Sequence, residues 1–433
     1  AKAGSATGSQ SELTGGKLSD DLSSDKLPEK SIVVGSEQSN SSVVYEDKFI
    51  LKFLRRVEEG PNPEVEIEAA LLKNNFGSIP KLMGTLSYNS PGAEPATVAI
   101  LEQFIRNEGD AWNLFHGQFE RFLEDVLSSK ILPDSILGLP IISVAESDLP
   151  EDILEELGLP FDDWVRLLGK RTGEFHLTLL KEVEDPNFKP EPFGYLEQVA
   201  VAQSMTSYSN RIFQQCRSTT IVFPQDVKKE LDLVLSHQSE IGKRFGELKR
   251  VKFDCVRSRI HGDYHLGQVL FTGKDFVIID FEGEPARSLT DRRLKRSPVK
   301  DVAGMIRSFH YAAQLVILRN SNAKIKENPE LAIRAATVWY KAVSALFLRS
   351  YLSTVSGSQI LPTDKTAVSV LLDAYLLEKV IYELGYELNN RPDWISIPIK
   401  GLEDLLGLEP QLPSPPATSA ASVRKEVATQ SPS

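Results

Sequence analysis

The chain has 433 residues, 41% of them hydrophobic, enough to bury more than one compact domain and to divide into two lobes. Its formal net charge of −11 disfavours a nucleic-acid-binding role, because that binding needs a basic surface that releases counterions. Two cysteines, Cys216 and Cys255, suggest reduced thiols in a cytoplasmic protein rather than a disulfide framework, and neither a transmembrane-length apolar run nor a signal peptide is read, so no membrane partner is expected.

Residues 1–30 are rich in Ser, Gly, Lys and Asp, and 408–433 form a Pro/Ser/Ala/Thr tail. Neither composition buries enough apolar area to offset ordering entropy, so both read as disordered linkers. The chain begins Ala1-Lys2 without methionine, which suits a piece of a longer polypeptide. Residues 31–108 read as a small strand-rich lobe and 109–407 as a larger helical one, giving an α+β class.

In the first lobe, Ile32 to Val34 leads through Gly35–Ser42 into Val43-Val44-Tyr45, and Phe49 to Leu54 follows a turn. The Gly35–Ser42 segment is a candidate phosphate clamp. Gln38, Ser39, Asn40 and Ser41 offer amide, hydroxyl and backbone donors, although the same residues suit an ordinary polar turn. Lys52 shares a strand face with Ile50 and Leu54. Alone, it reads as an edge lysine snorkelling to water. Asn62 as N-cap and Pro63 at the first position start a helix running to about Asn75, with Gly77 beyond its end. Glu66 and Glu68 both compete to pair with Lys52. Ala99 to Ile105 reads as the last strand and the hinge, where backbone groups from Gln103 to Ile105 would hold a purine.

Beyond Trp112 the chain is expected to be helical, with helices near Phe161–Leu179 and Val227–Leu248 and an irregular insertion from Leu132 to Pro160. His176 reads as a packing histidine. Val269-Leu270-Phe271 and Phe276 to Ile279, joined by Thr272-Gly273-Lys274-Asp275, predict a β-hairpin. That hairpin brings Asp263, Gln268 and Asp280 together. Phosphoryl transfer from ATP needs such a set: one carboxylate to orient the acceptor hydroxyl and take its proton, and oxygen ligands for magnesium. Asp263 fits the first role, and Gln268 with Asp280 the second. His261 and His265 lack partners at zinc spacing, so they read as supporting residues, with His265 counted toward the acceptor site. Glu282 is left open between metal, substrate and solvent. Arg292, Arg293, Lys295 and Arg296 form a solvated basic run, a product-phosphate site or a brace, and Asp301 caps a helix or anchors the catalytic loop. On a final helix, about Lys365 to Asn389, Tyr375, Lys379, Tyr382 and Tyr386 share one face. That stripe reads as core or as a sugar platform.

His261-Gly262-Asp263-Tyr264-His265 and Ile279-Asp280-Phe281 resemble the catalytic and metal-binding loops of aminoglycoside-phosphotransferase-like small-molecule kinases. The wording of Gly35–Ser42, Asp280-Phe281-Glu282-Gly283-Glu284-Pro285, Arg292-Arg293-x-Lys295-x-Ser297-Pro298, Asp301–Met305 and Tyr386–Trp394 is similar to the bacterial maltokinases, from about residue 31 to 402. The resemblance implies a bilobal protein-kinase-like fold and ATP- and Mg²⁺-dependent phosphorylation of maltose at its anomeric hydroxyl, feeding α-glucan synthesis, with a fused or associated trehalose synthase as partner. It also implies that Lys52 pairs with Glu66, through the pattern Asn-Pro-x-x-Glu. Lys379, Tyr382 and Tyr386 become sugar contacts, with Arg391 a further candidate, and Tyr375 stays in the core. On that resemblance, most of the strand-rich cap usual in those kinases reads as absent or displaced before residue 31, leaving 1–30 as linker or cap remnant. Two alternatives remain: a related kinase acting on glucosamine or another sugar, and a nucleotide- or sugar-binding pseudokinase module.

Overall fold

A computed structural model of the chain describes residues 5–7, 11–19, 28, 30–34, 40–319 and 323–408. Seven strands build one antiparallel sheet in the order β1-β2-β6-β7-β5-β4-β3. They are β1 (Ser5–Thr7), β2 (Glu12–Lys17), β3 (Ser31–Val34), β4 (Asn40–Tyr45), β5 (Phe49–Leu54), β6 (Leu82–Asn89) and β7 (Ala96–Gln103). The reading of 1–30 as linker is therefore corrected at β1 and β2. Low local hydrophobicity hides these strands; β2 pairs with β6 across six register positions, and β1 pairs with β2. The phosphate-clamp candidates Gln38 and Ser39 lie outside the described residues, as does the tail from residue 409.

Helix α1 (Pro63–Lys73) packs against β6 and α5, and its start is as expected: Asn62 Oδ1 accepts from the Glu64 and Val65 amides, with Pro63 at the first turn. Ile67, Leu71, Glu64 and Glu68 form its buried face, at spacings that repeat with the helix period.

The helical part comprises α2 (Ala111–Ser129), α3 (Ile141–Glu146), α4 (Glu151–Leu157), α5 (Phe161–Leu179), α6 (Tyr195–Ser218), α7 (Gln225–Ser236), α8 (Gln238–Glu247), α9 (Leu289–Arg292), α10 (Val299–Arg319), α11 (Ala323–Glu327), α12 (Pro329–Val355), α13 (Lys365–Asn390) and α14 (Ser396–Leu406). Two-residue strands β8 (Glu191–Pro192) and β9 (Val256–Arg257) pair, as do β10 (Val269–Phe271) and β11 (Phe276–Ile278). The insertion at 132–160 carries two short helices, and the helix expected over 227–248 is broken at His237. Helix α12 is apolar and long enough to cross a bilayer, a length not recognised in the sequence, but 78% of its apolar window is buried in the protein. It packs chiefly on α5 and α10. Phe115 of α2 joins these layers, its ring centroid 5.1 Å from those of both Phe161 and Phe309.

Phe115 is fully buried, so Phe115→Ala removes this contact and leaves a cavity. The expected loss is about 3–5 kcal/mol, read as a lowered urea midpoint with unchanged far-ultraviolet dichroism.

Candidate active site

The β10–β11 hairpin and the loop before it are held by a single buried carboxylate. Asp301, in the first turn of α10, accepts from the His261 amide (2.8 Å) and the Gly262 amide (3.0 Å), one per oxygen. His176 of α5 approaches the same carboxylate through Nε2 at 3.2 Å and contacts the Tyr351 hydroxyl through Nδ1 at 3.1 Å. Burial opposes the charge of Asp301, but His176 and the loop amides more than offset it and hold its carboxyl below the usual range. Gly304, one turn along α10, lets the helix reach the loop: a Cβ there would lie 2.6 Å from the Tyr264 carbonyl oxygen. His261 passes the constraint on. Its Nε2 contacts the Ile279 carbonyl at 3.0 Å and its Nδ1 the Asp263 amide at 3.4 Å, so the ring spans the gap between the two acids.

Asp280 leaves β11 with φ +66°, a left-handed conformation that few side chains other than Asn and Asp tolerate. A cavity of about 880 Å³ lies over it, lined by Asp263, His265, Gln268, Asp280 and Glu282 on one side and by Asn40 and Lys52 on the other. Gln268 and Asp280 supply hard oxygen donors without a competing thiolate, which fits magnesium; carboxylate oxygens of Asp280, Glu282 and Glu64 lie within 4.8 Å of one another. Glu282 accepts from Asn40 Nδ2 at 2.7 Å across the cleft. Burial, with Asp280 beside it, pushes the Glu282 carboxyl up.

Lys52 is buried and its Nζ lies 2.7 Å from Glu64 and 3.0 Å from Glu102 of β7. Burial works against its charge, but Glu102, Glu64 and Asp280 outweigh that and hold its ammonium well above the ordinary value. The pairing with Glu66 is thus corrected. Glu66 points instead to Arg293, at 2.7 and 2.8 Å, and to Arg259 at 3.1 Å. The reason is helix phase: Glu64 and Glu68 sit one turn apart on the sheet-facing side, whereas Glu66 faces the basic run. With Glu58–Arg292, these contacts make Arg292 and Arg293 a brace between the sheet and the helical part.

Three other candidates are placed away from the cavity. Ser41 alternates to the face opposite Asn40 and accepts from Arg55 Nε at 3.3 Å. The Gln103 amide donates to Lys81, and the Ile105 carbonyl accepts from Asn107 Nδ2. Neither Gln103 nor Ile105 lines the cavity. His265 does line it, but its Nδ1 also accepts from the Gly267 amide at 3.0 Å, capping the short turn that presents Gln268.

The far end of the cavity is built by α13. Lys379, Tyr382, Glu383, Tyr386 and Glu387 form one face of that helix, while Tyr375 is buried in the core. Lys379 Nζ lies 3.5 Å from Asp263 and 4.9 Å from the Tyr382 ring centroid. Burial disfavours charge on Asp263, but Lys379, then His265 and His261, lower its carboxyl, leaving it ionised and able to accept a proton. Tyr382 and Tyr386 rings lie 6.4 Å apart at 23°, and burial pushes the Tyr382 phenol up to about 12. Arg391 binds Glu387 through two nitrogens and covers the Trp394 ring at 4.1 Å. Three features were missed in the sequence: Glu64, the Arg307–Glu383 ion pair and the Tyr311–Glu387 bond; Trp394, quoted within a motif but given no role, also lines the cavity. Only Glu64 had a usable signal, the first-turn position set by Asn62 and Pro63.

No family model matches the chain. Over 381 residues it is 21% identical to a glucosamine kinase of Streptacidiphilus jiangxiensis, covering 87% of this chain and 73% of that one. A glucosamine kinase of Mycolicibacterium smegmatis is 21% identical over 373 residues, 86% of this chain and 78% of the relative. Among solved structures, a glucosamine kinase in crystal form B superposes with a TM-score of 0.64 at 18% identity, over 91% of this chain and 80% of that one. A glucosamine kinase in complex with glucosamine, ADP and inorganic phosphate gives 0.62 at 19% identity, over 87% and 80%. The fold is bilobal and kinase-like.

Asp301→Asn replaces one amide acceptor with a donor and is expected to cost about 2–4 kcal/mol at neutral pH. Because the folded carboxyl titrates below its unfolded value, the stabilisation is present above the unfolded value, about pH 4, and fades as pH falls through the folded one. Urea unfolding of both proteins should therefore show a gap at pH 7 that narrows in acid.

Proposed function

We propose that this chain is an ATP-dependent kinase of a sugar hydroxyl. The observation that carries the reading is the convergence of Asp263, Gln268, Asp280 and Lys52 on one cavity whose other end is an aromatic and polar helix face. Asp263 accepts the proton of the acceptor hydroxyl as the terminal phosphoryl group leaves ATP. Lys52, fixed by Glu64, balances phosphate charge. Gln268 and Asp280 are the oxygen donors suited to magnesium, which when bound supplies charge neutralisation on the phosphates. The face of α13 orients the sugar, with Tyr382 and Tyr386 as platforms and Lys379 beside the reacting hydroxyl. His265 and Arg391 border the same space. Asn40, on the opposite wall, is the remaining phosphate-side contact. The boundaries 31–108 and 109–407 divide nucleotide-binding from acceptor-binding parts in this reading.

Both relatives described above are glucosamine kinases, so glucosamine is the acceptor this likeness favours. Maltose is the second reading. It is favoured by the near-parallel Tyr382–Tyr386 pair and by the neutralisation of Glu383 by Arg307 and Glu387 by Arg391, an arrangement suited to an uncharged glycoside.

ADP release with magnesium and ATP, measured across glucosamine, maltose, glucose and no sugar, decides between them. Release with glucosamine alone supports the first acceptor and release with maltose alone the second; no sugar-dependent release contradicts the kinase reading. Asp263→Asn should lower turnover by about 10²- to 10⁴-fold while Mg²⁺·ADP binding persists, and wild-type turnover in that variant would contradict Asp263's role.

A further inference from the structure

Behind Lys52 stand three glutamates for one cation. Carboxylate oxygens of Glu64 and Glu68 on α1 and of Glu102 on β7 lie within 4.8 Å of one another, and the three residues are no more than 1% exposed. Lys52 hydrogen-bonds Glu64, and its contact with Glu102 is an ion pair lacking hydrogen-bond geometry. The consequence is an orphan set: Glu102 Oε1 and both oxygens of Glu68 have no hydrogen-bond partner although all are fully buried. Three ionised carboxylates cannot sit together in such a place, with one lysine among them, without a large penalty. One proton relieves it, because a neutral Glu68 becomes a donor and Glu102 Oε1 is the acceptor waiting for one.

We propose that Glu68 is a positioning residue: a neutral carboxyl that donates to Glu102, so that Lys52 faces two negative charges rather than three and keeps its ammonium directed at the cleft. The proposal rests on the reading of that cleft as a nucleotide site. The charged groups facing Glu68 are Lys52 from β5, Glu64 from its own helix and Glu102 from β7. Burial raises the Glu68 carboxyl well above its usual range, Glu102 and Glu64 add to the effect, and Lys52 opposes it. A metal ion in the cluster is a poorer occupant, since the Lys52 ammonium already lies between Glu64 and Glu102. Loss of the Glu68 proton would add a third charge beside Lys52, pulling it back from the phosphates and repelling them.

The test uses the full chain and two readouts. Infrared spectra of the nucleotide-free protein should show a protonated, buried carboxyl band that Glu68→Gln removes. Mg²⁺·ADP titrated calorimetrically from about pH 6 to 9 should bind wild-type protein progressively more weakly once pH passes the folded value of Glu68, by up to about tenfold per unit. Glu68→Gln keeps the donor and cannot ionise, so its binding should lack that step. Identical pH profiles in the two proteins, no difference in the carboxyl band, or tight nucleotide-free Mg²⁺ binding lost in Glu68→Gln would each overturn the proposal. Absence of Mg²⁺·ADP binding with the infrared difference intact would refute the nucleotide reading and uphold the shared proton.

Discussion

Two amide hydrogen bonds to the Asp301 carboxylate set the geometry on which the rest of the site depends. They fix the backbone at His261 and Gly262, and the imidazole of His261 then reaches Ile279, next to Asp280. Through that chain, one residue on α10 sets the separation of the two acids that flank the cleft. The support is itself rigid, because His176 of α5, held in turn by the Tyr351 hydroxyl of α12, contacts Asp301, and Gly304 lets α10 lie against the loop. A site assembled in this way is pre-organised. Little reorganisation is then needed when charge develops, which is where electrostatic catalysis gains most.

The opposite wall solves a different problem. Lys52 needs burial to be held in place and acids to stay charged, and those acids in turn need a cation. Glu64 supplies the directional bond, while Glu58, Glu66, Arg292 and Arg293 tie the sheet to the helical part outside the cleft. The pairs therefore divide the labour: one at the cleft, the others at its rim. Asn40 and Glu282 add a contact across the opening itself.

How much of this was legible in the sequence depended on the range of the interaction. The hairpin, the Asn62–Pro63 helix start and the limits of α5 are local, and turn chemistry and periodicity reveal them. Asp301 could be named as a loop anchor because its position after Ser297-Pro298 allowed few other roles. The partner of Lys52 was misread because it turns on the rotational phase of α1 against the sheet, and a five-residue motif selected the wrong face. Strands β2 and β6 escaped notice since neither shows clean alternation, and each is stabilised by the other. At the acceptor end, the stripe on α13 was visible while the Arg307–Glu383 ion pair was not, because Arg307 lies 76 positions from Glu383. Charge in a cavity is a property of pairs, and pairs distant in sequence leave no periodic trace.

The central claim is that this cleft moves phosphoryl groups from ATP to a sugar hydroxyl. Phosphorus NMR of the protein with Mg²⁺·ATP and an equimolar mixture of glucosamine and maltose tests it most directly. The account predicts that the γ-phosphate resonance declines in step with the growth of a phosphomonoester resonance coupled to a sugar proton. Decline of the γ-phosphate into inorganic phosphate alone, or an unchanged spectrum from protein that binds Mg²⁺·ATP, would contradict it.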